Sequence, residues 1–565
     1  MLKNYLAIAL RNIRKHKAYS FINISGLAIG LACFLLIMLY VQDELSFDRY
    51  HENADNIYRI AVDIQANEGL QQNAQTPPVW PTYLLADHPE IVNAVRFKPP
   101  RQKWMVNYGT RHFTEKGWTF ADSSVFDVFN FPLVQGNPKS ALTVPFTVVL
   151  SEAMAKKYFG DEDPMGKIIT IDNQYDFAIT GIMKNMPVNS HFHADFFASF
   201  VSMEDPQILY LVNVLQAQFP FAYTYLQLAE NTPPEVIEAK FPEFIEKHVP
   251  AQFRQGNTKI NIYLQPLTDI HLKSNLQNEI EANGDISTIY FFSAVAIFTL
   301  LIACINFMNL ATARSSNRAK EIGMRKVVGA LRRHLTQQFF GESILLTFIS
   351  LFIALCLIYF ALPFFNSMTG KQITLLEHIN PTFILAIIGI TLATGVLSGS
   401  YPAIFLSAFP PITILRGFSK SGTRSHSLIR KGLIVFQFGI SIVLIISTAI
   451  VYNQMDYIRN KKLGFDKEHV VIIQLTDPTP ATLYSTYKDV ILREPNVIKV
   501  SASMSVPAGL INNANVYKYG QSQDESWVVQ AYFSDFDFIE TLGMELLQVE
   551  ISPGNSERIH LIHLS

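Results

Sequence analysis

Cysteine and charged residues are scarce in this chain of 565 residues. It has 3 cysteines, and 16% of its residues are charged against 49% that are hydrophobic. Cys33, Cys304 and Cys356 all fall within long apolar runs. No disulfide can therefore stabilise the polar parts of the chain, which must be stable from their own hydrophobic cores.

Motifs for nucleotide binding, hydrolysis and metal binding are also missing. The string nearest to a phosphate-binding loop, GDEDPMGKI at 160–168, has one residue too many between its glycines and an isoleucine in place of the hydroxyl residue that binds magnesium. NSHFHADF at 189–196 offers His191, His193 and Asp195, but without further placed ligands an exposed strand or turn is the expected structure. The sequence therefore predicts no catalytic site, no cofactor and no metal.

Five apolar runs are long enough to cross a bilayer, which takes about 20 residues. They cover 21–41, 289–313, 339–365, 383–406 and 433–452. Ionisable side chains are nearly absent from them, and Glu342, at the start of the third, is expected to be interfacial. This scarcity disfavours an ion-coupled or pore-type transporter. The first run is too long for a signal peptide and lacks a small-x-small cleavage site, so we interpret it as a span.

Lysine and arginine residues collect on one side of these runs. They precede the first run and fill 314–333 and 416–431, whereas the loop 366–380 has Lys371 alone. Because such an excess marks the cytoplasmic side, the N-terminus is predicted inside, and 43–285 and the tail after 453 outside. MLKNYLAIALRNIRKHK, apolar on one helical face and basic on the other, predicts an interfacial helix lying on the lipid of the cytoplasmic leaflet. Nothing indicates a nucleic-acid partner.

The external segment 43–285 carries mixed α and β signals. VPFTVVL reads as a strand, and SEAMAKKYFG as a short helix with Ser151 as N-cap and Gly160 as C-cap. KIITIDNQYDFAITGIM predicts two strands joined around Asp172 and Asn173. Prolines are expected to break up the helical patches of the second half: Pro233, Pro234, Pro242 and Pro250.

Small and polar residues in the runs indicate helix packing. Gly26 and Gly30 in the first run are spaced G-x-x-x-G, as are Gly395 and Gly399 in the fourth. This spacing permits close approach of two helices, although glycine is also simply common in membrane helices. Asparagines in the second run are expected to form interhelical hydrogen bonds rather than to bind substrate: Asn306 and Asn309.

A charged segment with two glycines, SNRAKEIGMRKVVGALRRH at 316–334, lies between the second and third runs. As a short helix it would place apolar residues toward one side and charged residues elsewhere. An ordinary positive-inside loop explains the cations but not the apolar residues among them. A cytoplasmic helix that is partly apolar indicates a docking partner.

NFMNLATARSSNRAKEIGMRKVVGA at 306–330 resembles the span and coupling-helix signature of the MacB/FtsX family of ABC transporter permeases, in its large two-copy form common among Bacteroidetes. VVLSEAMAKKYFGDEDPMGKIITI, FAITGIMKNMPVNSHFHADF and QPLTDIHL resemble the family's external core domain. The resemblance extends to about Leu547. Family members of this form continue into three more spans, so a C-terminally truncated chain is expected.

The resemblance implies a non-catalytic permease subunit in the bacterial inner membrane. In the family, the coupling helix docks on a separate cytoplasmic ABC ATPase, which binds the ATP, and external domains act on lipoproteins, peptides or macrolides, or control cell-wall hydrolases. Whether a periplasmic adaptor and an outer-membrane channel join is left open. The alternative is a membrane-anchored receptor or scaffold without an ATPase. Carried over to this chain, ATPase docking falls on Glu321, Ile322, Gly323, Arg325, Lys326, Gly329 and Ala330.

The expected fold class is an α-helical integral membrane protein with five transmembrane helices and mixed α+β extracytoplasmic domains. The expected division is a cytoplasmic amphipathic helix (1–20), a first span (21–42), a MacB-type core domain (43–285), an FtsX-like three-span domain (286–407) with a coupling helix (314–335), a cytoplasmic linker (408–431), a fifth span (432–453) and an incomplete second external domain (454–565).

Overall fold

A computed structural model describes the following part of the chain. It covers residues 17–66, 69–99, 103–205, 218–254, 258–313, 331–375, 381–408, 424–461, 463–466, 468–473, 481–507, 512–516, 527–531 and 533–544, with Arg11, Lys15, Met324, Lys326 and Val327.

Within these residues the chain forms helices and strands of very different lengths. The helices are α1 (Lys17–Leu45), α2 (Trp80–Asp87), α3 (Val125–Val128), α4 (Glu152–Phe159), α5 (Pro234–Glu238), α6 (Phe241–His248), α7 (Leu267–Lys273), α8 (Ile286–Ala313), α9 (Arg332–Thr369), α10 (Pro381–Ala408), α11 (Arg424–Asn460), α12 (Ala481–Ile491) and α13 (Phe538–Thr541). The strands are β1 (Ile57–Ala66), β2 (Gly69–Asn73), β3 (Ile91–Lys98), β4 (Trp104–Tyr108), β5 (Arg111–Glu115), β6 (Trp118–Ala121), β7 (Leu133–Gly136), β8 (Thr147–Ser151), β9 (Ile168–Ile171), β10 (Tyr175–Met183), β11 (Phe196–Ser199), β12 (Tyr223–Leu228), β13 (Lys259–Pro266), β14 (Asn512–Val516) and β15 (Trp527–Ala531).

Five of the described helices, α1, α8, α9, α10 and α11, are long and apolar enough to cross a membrane. They extend beyond the apolar runs, because helical hydrogen bonding continues into polar flanks that hydropathy does not mark. Three expected boundaries therefore shift: α1 takes 17–20 from the amphipathic segment, α9 takes 332–335 from the coupling segment, and α11 takes 424–431 from the linker. Helix α11 also continues to Asn460, inside the expected second domain.

Helices α1, α8, α9 and α10 pack together as a bundle, and α11 lies against α8. The centre of the bundle is apolar, with leucines of α1 against α9 and α10. Asn309 on α8 donates to Gln437 on α11 over 3.4 Å, which confirms the interhelical role expected for that asparagine. Most of the outer face of α11 is exposed, as expected of a surface in contact with lipid.

The segment between α1 and α8 folds around a mixed sheet of thirteen strands, and we call residues 57–273 the sheet domain. Its strand order is β13-β1-β12-β3-β6-β11-β8-β10-β9-β4-β5, with β2 beside β1 and β7 beside β10. Strand β8 runs parallel to β10 and β6 parallel to β11, while the other pairs are antiparallel. Large aromatic side chains, among them Trp118, Phe97 and Phe197, are fully buried in its cores. In the C-terminal part, the described residues form the small β14–β15 sheet and, in addition, helices α12 and α13.

Local predictions for the sheet domain are confirmed at three places. VPFTVVL contains β8, and helix α4 follows it with the Ser151 hydroxyl accepting from the Met154 amide at 3.3 Å. Gly160 ends this helix at φ +65°. Asp172 and Asn173, at φ 49° and 56°, make the turn between β9 and β10, a conformation that these short polar side chains tolerate.

Prolines in the second half of the domain start helices rather than interrupt them. Helix α5 begins at Pro234, and Pro242 lies in the first turn of α6. The first turn has no intrahelical partner for its amide hydrogens, so proline loses nothing there and its fixed φ favours the helix. The expectation that these two prolines break helical patches was wrong.

Candidate functional site

The candidate docking segment lies between the end of α8 and the start of α9. Of its seven predicted docking residues, Lys326 is described and lies in helical backbone, whereas the other six lie outside the described residues. Partial burial and the positive charge of Arg332 lower the pKa of Lys326. Apolar side chains beside it are largely exposed, with Met324 67%, Val327 62% and Leu331 63% accessible. The described part of the segment therefore presents both apolar and basic surface.

The four G-x-x-x-G glycines lie at helix contacts of the bundle. A Cβ added to Gly30 would lie 2.5 Å from the Cβ of Ala303 on α8, and one added to Gly26 would lie 3.5 Å from the Asn306 amide nitrogen. On α10, a Cβ at Gly399 would lie 2.7 Å from the Ser343 hydroxyl oxygen of α9, and one at Gly395 would lie 3.0 Å from an α9 backbone atom. At Gly30 and Gly399 a side chain would thus force the neighbouring helix to move.

The first linker, residues 46–56, leaves α1 and is fastened to the sheet domain by the segment NSHFHADF. The side-chain amide of Asn189 donates to the Ser46 carbonyl oxygen at 3.1 Å, and the Asp48 amide donates to the Asn189 carbonyl at 2.9 Å. His191 Nδ1 lies 2.9 Å from the Asp48 carboxylate, and its Nε2 lies 2.7 Å from the Tyr225 hydroxyl on β12. A carboxylate only accepts, so Nδ1 donates to it. The linker that follows α1 is thereby joined to strand β12 of the sheet.

His191 is consequently not on an exposed turn, as the sequence had suggested. Its side chain and that of Asp48 are each 1% exposed, and the pair is enclosed by aromatic rings that include Phe192. Among the described residues, no group of three or more histidine, cysteine, aspartate or glutamate side chains could hold a metal ion. His191 acts in this structure as a buried hydrogen-bond bridge.

The second linker, residues 274–285, leads from α7 into α8 and is held by two carboxylates. Both Glu279 oxygens accept from the buried Arg59 guanidinium of β1, at 2.5 and 2.8 Å. Glu281 accepts from the amide of His193 at 2.7 Å and lies 3.1 Å from its Nδ1. On its other side this linker borders a cavity of about 950 Å³. Backbone hydrogen bonds between Gln277 and strand β2, and the packing of Leu276 and Ile280 against the core, also hold the linker in place.

A third contact joins the end of α1 to the short loop after α9. The ammonium of Lys371 lies 2.8 Å from Asp43 and 2.8 Å from Glu44. The other Glu44 oxygen lies 2.7 Å from Nε2 of His271 on α7, the last helix of the sheet domain. Phe47 stacks on the His271 ring with 3.5 Å between centroids and lies under the Lys371 ammonium at 4.6 Å. We call Asp43, Glu44, Phe47, His271 and Lys371 the junction cluster.

The charged side chains of the junction cluster are largely buried. Side-chain exposure is 16% for Lys371, 12% for Asp43 and 7% for Glu44. Burial lowers the pKa of Lys371, but the bonds to the two carboxylates outweigh it, and the pKa is raised. Gly284 passes so close that a Cβ there would lie 3.2 Å from the Glu44 carboxylate. The second linker thus also lies against the cluster.

Two family models match the chain. The MacB-like periplasmic core domain matches residues 20–243, and the FtsX-like permease C-terminal domain matches residues 293–411. Together they cover more than half of the 565 residues. The chain belongs to the MacB/FtsX family of ABC transporter permeases. The order of α1, the sheet domain and helices α8 to α10 follows the order of these two matches.

Curated proteins similar to this chain include an ATP-binding/permease protein and a protein named as a permease. The chain is 25% identical to the macrolide export ATP-binding/permease protein MacB of Wolinella succinogenes, over 60% of this chain and 50% of that protein. It is 24% identical to YvrN of Bacillus subtilis, an uncharacterized ABC transporter permease, over 73% of this chain and 99% of that protein. The permease thus spans half of the length of the Wolinella protein.

A solved structure of the periplasmic region of MacB from Actinobacillus actinomycetemcomitans is also similar to part of the permease. The match covers 37% of this chain and 88% of that one, with 14% sequence identity and a TM-score of 0.27.

Sequence reasoning missed the junction cluster, although a signal was present. Lys371 is the single cation of the loop 366–380, and Asp43 and Glu44 directly follow the first apolar run. All three would be placed at the same membrane boundary by the topology. Opposite charges at one boundary, each flanked by apolar sequence, are candidates for a buried ion pair.

The bond between His193 and Glu281 is expected to weaken with rising pH. The hydrogen bond to Glu281 raises the pKa of His193, while burial opposes the shift. Because the pKa of His193 is higher in the folded state, the stabilisation that this bond provides is complete below about pH 6.5. It is lost as the pH rises through the folded-state pKa. Hydrogen exchange in 274–285, corrected for the intrinsic pH effect, should therefore rise as the pH increases above about 6.5.

The control for this measurement is His193→Asn, which cannot titrate in that range. Its exchange in the second linker should be fast and independent of pH after correction. Equal pH profiles for the two proteins would contradict the role given to His193.

Proposed function

We propose that this chain is a permease subunit through which a partner ABC ATPase moves the sheet domain on the outer side of the bacterial inner membrane. The described long helices would cross the membrane with the N-terminus in the cytoplasm, as the distribution of lysine and arginine favours. ATP would bind to the partner, and this chain would transmit motion without catalysing a reaction.

The observation that carries this proposal is the way in which the sheet domain is attached. A domain on flexible linkers would not respond to movements of its helices. Here Asp48 of the first linker bonds to His191, and Glu279 of the second linker bonds to Arg59. His191 and Arg59 both lie within the sheet domain. Buried, paired groups are costly to separate. A tilt or shift of α1 and α8 would therefore displace the domain as a unit.

At the other end of the helices, the segment before α9 supplies a surface for the ATPase. We assign docking to Glu321, Ile322, Gly323, Arg325, Lys326, Gly329 and Ala330, in line with the family resemblance. Exposed Met324 and Val327 beside Lys326 support it, because apolar side chains in water favour a protein partner. Since α8 ends and α9 begins at this segment, force applied here would reach both helices directly.

The substrate would be met outside the bilayer. Relatives are named for macrolide export and for pyoverdine export, and those names describe those proteins. For this chain we propose a substrate of the same broad kinds, a lipoprotein, a peptide or a drug-like molecule, or control of an envelope process. A periplasmic adaptor and an outer-membrane channel would be further partners if substrate leaves the cell.

Co-purification with an ATPase tests the proposal. The tagged full chain is extracted from native membranes in mild detergent, beside a triple variant with Glu321→Ala, Arg325→Ala and Gly329→Leu. We expect an ABC-type ATPase with the native chain and its loss with the triple variant, because charge, fit and backbone turn are removed together. Lys431→Ala, a cation change outside the segment on the same predicted side, is the matched control and should retain the ATPase.

Recovery of the ATPase with all three proteins would contradict the assigned docking residues. If the native chain is abundant and inserted but retains no ATPase, the receptor or scaffold function is favoured instead.

A further inference from the structure

The loop that follows α9 is tied by a charged contact to the end of α1, and Glu44 of α1 is in turn bonded to His271 of the sheet domain. Helix α9 has 38 residues and begins next to the cytoplasmic segment. At 1.5 Å per residue it is about 57 Å long, enough to pass through a bilayer with polar ends on both sides. It ends at Gly370, which has φ +70°, and the next residue is Lys371.

The loop itself is anchored, so Lys371 cannot move far without α9. Asn366, in the last turns of α9, donates to the Ile373 carbonyl oxygen at 2.9 Å. The Ile373 side chain is 2% exposed and packs in the same apolar cluster as Leu35 and Leu39 of α1. A displacement of the outer end of α9 would therefore carry the Lys371 ammonium with it.

The carboxylates that receive this ammonium belong to α1, and one of them continues the connection. Glu44 uses one oxygen for Lys371 and the other for His271 of the sheet domain. Removing the cation would leave Asp43 and Glu44 as neighbouring buried carboxylates, which is unfavourable. Apolar packing alone would let α1 and α9 slide past each other. The buried contact of one ammonium with two carboxylates instead fixes the outer end of α9 to the end of α1.

We propose that Lys371 is a positioning residue that passes movement of α9 to the sheet domain through Glu44 and His271. This inference rests on the proposed function and adds a route to it. Motion started at the cytoplasmic segment travels along α9, crosses to the end of α1 at the junction cluster, and enters the domain at α7. The two linkers are then displaced as a result of this movement and do not start it, because both are attached to helices that border the junction cluster.

The test measures coupling in the permease with the ABC ATPase that co-purifies with it, in lipid nanodiscs. Deuterium uptake is compared without nucleotide and with ATP plus orthovanadate, at the cytoplasmic segment 314–330 and at the linkers 46–56 and 274–285. In the native protein we expect nucleotide-dependent changes at both ends. In Lys371→Met the change at 314–330 and ATP hydrolysis should remain, while the change at the two linkers disappears.

Two further variants separate positioning from mere stability. Lys371→Arg keeps the charge and should restore the linker response. Lys273→Met removes a nearby cation that is 55% exposed and pairs with Asp269 on its own helix, so the response should be unchanged. If Lys371→Met and the native protein show equal deuterium uptake at the linkers without nucleotide, the variant is folded there. Loss of its nucleotide response then cannot be explained by unfolding.

The outcomes distinguish this inference from the proposed function. A normal linker response in Lys371→Met overturns the role of Lys371 and leaves the permease function standing. A native protein without any nucleotide-dependent change overturns the proposed function itself. If Lys371→Met accumulates poorly, the double variant Lys371→Glu with Asp43→Lys is tested in its place. A nucleotide-dependent change at the linkers in this variant supports the route. A folded double variant that lacks this change overturns the route.

Discussion

Replacing Arg59 by methionine is expected to lower the free energy of unfolding of the sheet domain by about 3–5 kcal/mol, the usual cost of breaking a buried ion pair. The Arg59 side chain is 0% exposed and donates to Glu279, Gln265 and Ser274. Without the guanidinium, Glu279 is left as a buried carboxylate without its cation. The second linker should also separate from β1, because Glu279 is its main attachment there.

A urea titration of the full chain in detergent, followed by tryptophan fluorescence, measures this effect. Trp80, Trp104 and Trp118 are buried in the sheet domain, so the signal reports mainly on its unfolding. The matched control is Arg59→Met combined with Glu279→Gln, which removes both charges. It should recover much of the lost stability, since a pair replaced as a whole leaves no uncompensated charge.

Equal destabilisation of the single and double variants would show that the methionine disturbs packing rather than charge balance. A single variant within about 1 kcal/mol of the native protein would contradict the buried ion pair, since exposed pairs contribute no more than that.

Adding one methyl group at Gly30 is expected to disrupt the contact between α1 and α8. The new Cβ would lie 2.5 Å from the Cβ of Ala303, well inside van der Waals contact. Overpacking of this kind costs about 1–3 kcal/mol, and the helices must separate or rotate to relieve it. We expect Gly30→Ala to lower the apparent melting temperature of the detergent-solubilised protein and its yield from membranes.

A compensating change makes this prediction specific. Ala303→Gly removes the very atom with which the new methyl group collides, so Gly30→Ala combined with Ala303→Gly should melt close to the native protein. Gly389→Ala on α10 is the neutral control, because a Cβ there meets nothing within 4 Å. Similar losses in the two single glycine variants would contradict a close contact at Gly30, as would failure of the compensating change.

Features that depend on neighbouring residues were predictable from the sequence. The apolar runs marked the long helices, since each run by itself is long enough for a bilayer. The Ser151 cap and the Asp172–Asn173 turn followed from side chains that bond within a few residues of themselves. Errors at helix ends arose where helices continue into polar sequence, as α11 does to Asn460.

The candidate site was only partly predictable. The segment between α8 and α9 could be singled out because its apolar and basic residues are neighbours in the chain. His191 could not be placed, because whether a histidine is exposed or buried depends on the partners that the fold brings to it. Its partner Asp48 is 143 residues away, and Arg59 lies 220 residues from Glu279.

By itself, then, the sequence determined the helices suited to a membrane, the local caps and turns, and the family to which the chain belongs. Tertiary structure alone decided which charges are buried and with whom they pair: Arg59 with Glu279, Asp48 with His191, and Lys371 with Asp43 and Glu44. The physical reason is that hydropathy and backbone preference act over a few residues. Desolvation of a charge is instead settled by groups that meet only when the whole chain has folded.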